Sequence, residues 1–221
     1  MKKYKLTKET IKDGSLKLYR IEALTNFGYI KRGEKGGFIE KEENLSQYGC
    51  AWVYGNAKVY SNARILDNAK VYDNAKIYDS AIICGDVMIY DDAKVFDYAK
   101  VSGDARVYDN AEVYGNAGIY GNVRVFDYAK IYGNARVYDN VEIFDSARIY
   151  GDAEVYGDAM VYGDAEVYGV AEVCGDAIVC KKIGLTGGRF YHTKDKLEKI
   201  ELVDTRDGYE TLACKPKIEN Y

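Results

Sequence analysis

The chain has 221 residues, 48% of them hydrophobic and 30% charged, an ordinary soluble balance that excludes a disordered chain. Its net charge is −4 and its pI is about 5.3, which gives no overall electrostatic attraction to nucleic acid. One His against 23 Tyr leaves little acid–base chemistry near neutral pH and an unusual amount of aromatic surface.

The first residues, Met1 to Thr7, place no apolar stretch behind their charges, so no signal peptide or membrane span is expected. Lys17 to Leu24 reads as a strand, and the turn Lys35-Gly36-Gly37 leads into Phe38-Ile39-Glu40. Residues 1–48 are expected to form an N-terminal β cap. The five Cys (50, 84, 174, 180, 214) include no metal-type pair, and their odd number suits reduced thiols in a cytoplasm.

From Ala51 the chain falls into 22 consecutive six-residue units without insertion. The first position is Ala in 19 units and Val in three, and the third is Val or Ile in all 22. The fourth is Tyr or Phe in 17, and the fifth and sixth are dominated by Gly, Asp and Asn. Alternation along a strand sends positions one and three to one face and two and four to the other. Small Ala and branched Val or Ile therefore fill an interior, while charged residues and tyrosines stand outside. Gly, Asp and Asn supply the left-handed backbone of a tight corner. Each unit is one short strand and one corner.

Departures from the consensus set the number of units per coil. The three Val substitutions (87, 123, 141) share one phase of a three-unit coil. Leu66, Cys84 and Ser102 replace the aromatic residue at intervals of eighteen, and Asp73, Asp91, Asp109, Asp127 and Asp145 keep the same interval at a corner. Three units per coil follow, giving a single-stranded, left-handed parallel β-helix over 49–182. About seven triangular coils make it roughly 35 Å tall. Residues 183–221 break the pattern and form a C-terminal cap module, with strands expected around Arg189-Phe190-Tyr191 and Lys199 to Val203. Open sheet edges template further pairing, which is the physical reason to expect caps.

The unit Ala-x-Val-Tyr-Gly-Asn, as at 111–116, resembles the hexapeptide-repeat superfamily, many of whose members are trimeric acyltransferases. Tyr19 to Leu24, Gly36-Gly37-Phe38-Ile39-Glu40 and Glu43-Asn44-Leu45-Ser46 make the chain similar to that superfamily's YdcK-like group, met in bacteria and phages. The resemblance spans about residues 17–182 and implies the fold and a trimer, while naming no activity. The acyltransferases set a His between subunits beside an inserted loop. This repeat has neither, and His192 lies in the C-terminal module. No catalytic residue, metal ligand or cofactor is assigned. The repeat also lacks the Thr ladder of an ice-binding helix and the continuous acidic surface of a DNA mimic.

Two surfaces are candidates. Arg64, Leu66, Ile82, Cys84, Lys100, Ser102 and Tyr120 lie in one phase where bulky rings are missing, and are expected to meet another subunit. Lys94, Arg106 and Arg124, interleaved with Tyr90, Tyr108 and the corner aromatics Tyr98 and Tyr128, are expected to hold a small anionic ligand. The sequence thus points to a cytoplasmic, non-catalytic binding scaffold, a homo-oligomer with a trimer favoured. One version is a phage accessory protein that sequesters a signalling nucleotide. The alternative is a hexapeptide-type acyl- or nucleotidyl-transferase. Neither a membrane nor nucleic acid is expected as a partner.

Overall fold

Inward-facing Ala and Val or Ile rows leave a chain no option but to stack its short strands, because a two-residue strand cannot bury its apolar face alone. The computed structural model describes residues 2–180 and the strand Gly187–His192. Every first and third unit position from Ala51 to Val173 is fully buried. The strands stack in parallel into three sheets, here called faces I, II and III. Face I includes the strands at Lys58–Val59, Lys76–Ile77 and Lys94–Val95. Face II runs upward from Trp52–Val53, and face III from Arg64–Ile65. Each strand pairs with the one eighteen residues on, as Arg106 with Arg124, confirming three units per coil.

The N-terminal segment does more than cover the end. Strands β1 (Tyr4–Asp13) and β2 (Leu16–Ala23) form an antiparallel hairpin, and β3 (Lys35–Ile39) pairs antiparallel with β2. On its other side β3 pairs parallel with Lys58–Val59, and Leu45 bridges in parallel to Ile65. These residues build a first turn that carries no six-residue signature. The solenoid therefore has about eight turns, one more than the units alone suggest. Strand β1 had no sequence signal at all.

The bottom of the prism is closed by polar contacts. Asn44 donates to the carbonyls of Ser61 and Ala63, and the Tyr4 hydroxyl lies 2.8 Å from those of Glu42 and Leu45. The buried Lys3 ammonium donates to the Ala51 carbonyl at 2.9 Å and sits over the Phe27 ring. Burial lowers its pKa to about 8, against a small upward push from Cys50. Trp52, an outward position by pattern, is fully buried beneath Phe27 and Tyr4.

At the corner between faces II and I, Asp73, Asp91, Asp109, Asp127 and Asp145 all adopt positive φ near 57°. Their carboxylates also accept the N–H of the corner one coil above, as Asp127 does from Asp145 at 3.3 Å. Turn former was thus half of their role. At the far end, Gly187–His192 pairs in parallel with Val170–Gly175 on face III, where a strand around Arg189 was expected. The expected strand at 199–203 and the rest of the C-terminal module lie outside the described residues.

Candidate binding surfaces

On faces I and II the aromatic residues form ladders. Face I stacks Tyr60, Tyr78, Phe96, Tyr114, Tyr132, Tyr150 and Tyr168 with centroids 4.8–5.2 Å apart and planes within 8°. On face II, Tyr90 begins a run through Tyr108, Phe126, Phe144 and Tyr162. Each interior ring therefore spends both faces on its neighbours, and only its edge and hydroxyl point outward. Stacking of a ligand on Tyr108, Tyr114 or Tyr132 would require opening the ladder. Partial burial raises the hydroxyl pKa of several rings, to about 12 for Tyr78 and Tyr150.

The residues expected to hold an anion do not form one constellation. Lys94 lies on face I and pairs with Glu112 at 2.9 Å, which also takes Lys130 at 2.9 Å. Partial burial pushes Glu112 up, but hydrogen bonds from Lys130 and Lys94 outweigh it and hold the carboxyl below its ordinary range. Arg106, Arg124, Tyr90 and Tyr108 share face II, where Arg124 pairs with Glu142 at 2.8 Å. Arg106 makes no ion pair among the described residues. Tyr98 and Tyr128 are 66% and 64% exposed at opposite edges of face I, one after Lys94–Val95 and the other before Lys130–Ile131. What remains together is Arg106 beside the Tyr90–Tyr108 stack.

The residues expected at an interface are brought together. Arg64, Ile82, Lys100 and Gly118 occupy adjacent strands of face III in direct register. Beside them run Leu66, Cys84, Ser102 and Tyr120. Tyr120 leaves the column and lies over Gly118 of its own strand, filling the space a side chain there would take. Above it Tyr138 and Tyr156 resume the stack at 5.1 Å. Their hydroxyls donate to Glu154 and Glu172. Face III thus has a recessed lower strip and a raised upper ladder. Burial, with a contribution from Asp67, pushes the Cys84 thiol pKa up, so it is a poor nucleophile near neutral pH.

Sequence reading missed a third feature. The β1–β2 hairpin curls over face I, where Asp13 pairs with Lys58 at 2.9 Å and Lys76 at 3.5 Å. The Lys58 hydrogen bond comes first among the causes that hold Asp13 below its ordinary range. Between hairpin and face lies a cleft of about 420 Å³ lined by Thr10, Arg20, Asn56, Lys58, Asn74 and Lys76. A signal existed. Lys58, Lys76 and Lys94 stack at one outward position with no carboxylate among them, whereas Glu112 and Glu166 answer the cations higher up.

Among the described residues no group of three or more His, Cys, Asp or Glu could hold a metal ion, and no helix is long and apolar enough to cross a membrane. Among the described residues Cys50, Cys84 and Cys174 are free thiols.

Residues 129–141 match a family model described as the YdcK beta solenoid repeat. No curated protein matches the chain. The matched segment contains two whole units, Ala129–Asn134 and Ala135–Asn140, which on either side continue into the same three-sheet prism. The chain is a β-solenoid of six-residue units that is similar, over residues 129–141, to the YdcK beta solenoid repeat.

Proposed function

We propose that this protein is a non-catalytic binding scaffold that works as a homo-oligomer. The observation that carries the reading is the interruption of the aromatic column on face III. Faces I and II engage most of their outward rings in stacked ladders beside mostly compensated charge rows. Face III leaves a strip of small and apolar side chains three coils long, with Tyr120 39% exposed at its upper end. A half-buried strip of small and apolar side chains with no aromatic ladder over it, on a rigid support, is a contact surface.

The more specific version places a small anionic ligand, such as a signalling nucleotide, beside Arg106 with the Tyr90 and Tyr108 hydroxyls, as a phage accessory protein in the cytoplasm would do. Arg106 supports it because its guanidinium is exposed and has no carboxylate beside it on face II. Native mass spectrometry of the purified full chain tests both levels. A retained nucleotide whose affinity falls about tenfold or more in Arg106→Ala supports the ligand version. Retention of an acyl-CoA or nucleotide-sugar donor instead would favour a transferase and overturn the scaffold reading.

A further inference from the structure

Size and charge both change along face III, and in the same direction. In the column of fourth positions, the lower coils carry Leu66, Cys84 and Ser102, and the upper coils carry Tyr138 and Tyr156. In the column of second positions, Arg64, Ile82 and Lys100 stand below Gly118, and Arg136, Glu154 and Glu172 stand above it, so that cations dominate the lower end and carboxylates the upper. The change-over comes at Gly118–Tyr120, where the strand carries no outward side chain except the folded-down Tyr120 ring. The polarity extends beyond this face: residues 111–180 hold twelve carboxylates against four Lys or Arg, while residues 1–110 hold sixteen against eighteen.

A parallel arrangement, whether a dimer or a ring around a three-fold axis, sets each coil against its own copy. Recess would then face recess and leave a void, ladder would face ladder, and Glu172 would face Glu172 or its immediate neighbours. Packing density and charge pairing both count against that arrangement. Turning one prism upside down sets recess against ladder and Arg64 against Glu172, and leaves Lys100 opposite Arg136 as the one like-charge pair.

We propose that face III is the surface through which two copies of this chain pair antiparallel, about a two-fold axis running along the Gly118–Tyr120 strand. This rests on the homo-oligomer reading above and defines its geometry. The equal spacing of the coils then fixes the contacts. Tyr138 of each copy enters the space beside Ser102 of the other, and Tyr156 the space beside Cys84. Arg64 meets Glu172. Lys100 faces Arg136, whose partner Glu154 lies one coil away and serves both cations. At the axis the two Tyr120 rings meet, each lying over the Gly118 of its own copy. Every contact away from the axis occurs twice, as an isologous interface requires.

The test is the solution mass of the full chain at micromolar concentration, followed by cross-linking. The protein should run as a dimer, twice 24.9 kDa. Ser102→Trp, which fills the recess, should raise the dimer dissociation constant about tenfold or more. Its melting temperature at low concentration should stay unchanged, because position 102 faces outward. Arg64→Glu should weaken the dimer in the same way and provides a second variant if Ser102→Trp misfolds. With a short bis-maleimide, Tyr156→Cys should give a Cys84-to-156 link between copies. A Cys84-to-Cys84 link, a trimer, or a dimer indifferent to both variants overturns the antiparallel pairing. A monomer that retains another protein on face III overturns both the pairing and the homo-oligomer reading and leaves only the binding scaffold, whereas a trimer overturns the pairing alone.

Discussion

The ring of Tyr120 lies over Gly118, so that a Cβ placed at 118 would stand 2.6 Å from the ring's Cε2 and from its hydroxyl. Tyr120 is the first aromatic residue above the recessed strip and the only tyrosine of a unit's fourth position described as substantially exposed. Its fold-down position depends on the missing side chain beside it. Gly118→Ala should push the ring outward and remove the upfield ring-current shift of the residue 118 α-proton in an NMR spectrum. The stability change should stay within about 0.5 kcal/mol, because the ring moves into solvent and not into the core.

Val107 sits between Ile89 and Val125 in the face II stack and is fully buried. An Asp there would place an unpaired carboxylate in the prism, among buried Ala, Val and Ile side chains that offer it no partner. Val107→Asp should cost on the order of 3 kcal/mol or more and yield insoluble or unfolded protein. Circular dichroism with denaturant titration measures it, with Arg106→Ala on the same strand as the control that should leave the midpoint unmoved.

Corner glycines with similar backbone differ in what lies above them. Gly103, with φ of 85°, would bring a Cβ to 2.6 Å from the Gly121 nitrogen, whereas Gly55, with φ of 57°, would meet nothing nearer than 3.7 Å. Gly55 shares the conformation that Asp73 and Asp91 adopt elsewhere on that corner. Gly55→Ala should therefore cost about 1 kcal/mol, the left-handed penalty alone. Gly103→Ala should cost clearly more, since backbone must move. Melting of the two single variants decides it; equal losses would show that the close approach at Gly103 has no energetic weight.

The ladders should make the protein sensitive to alkali. Tyr78 and Tyr150 have folded pKa values of about 12, above an unfolded value of about 10. Their neutral forms thus favour the folded state fully below pH 10. That stability is lost as pH rises from about 10 toward 12, because the unfolded chain releases its protons first. Lys3 acts in the opposite sense. Its folded pKa of about 8 lies below the unfolded value, so its burial penalty is relieved as pH rises from about 8 toward 10. Stability should rise slightly to about pH 10 and then fall steeply. Chemical denaturation across that range, followed in parallel by tyrosinate absorbance, should show the two phases, and Lys3→Met should abolish the first.

The repeat was legible because a six-residue unit writes its burial directly into its letters. Val53 to Val179, Ala51 to Ala177, and the phase of Leu66, Cys84 and Ser102 are all local facts, and stacking can only realise them in one register. The interface strip was legible for the same reason, since eighteen-residue spacing is spatial adjacency in a solenoid. The ligand set was not. Lys94 and Arg106 are close in sequence yet project from different faces, and the tyrosines meant to receive a ring were already stacked on each other.

By itself, then, the sequence determined the three-sided prism, its core rows, its corners and the irregular face, because each depends on side-chain alternation within six residues and repetition at eighteen. The tertiary structure alone decided how the cap donates a first turn, that Asp13 returns over Lys58 and Lys76, that Trp52 is covered, and which cations keep a free charge. Those contacts join residues with no periodic relation, so only the folded chain brings their atoms within hydrogen-bonding distance.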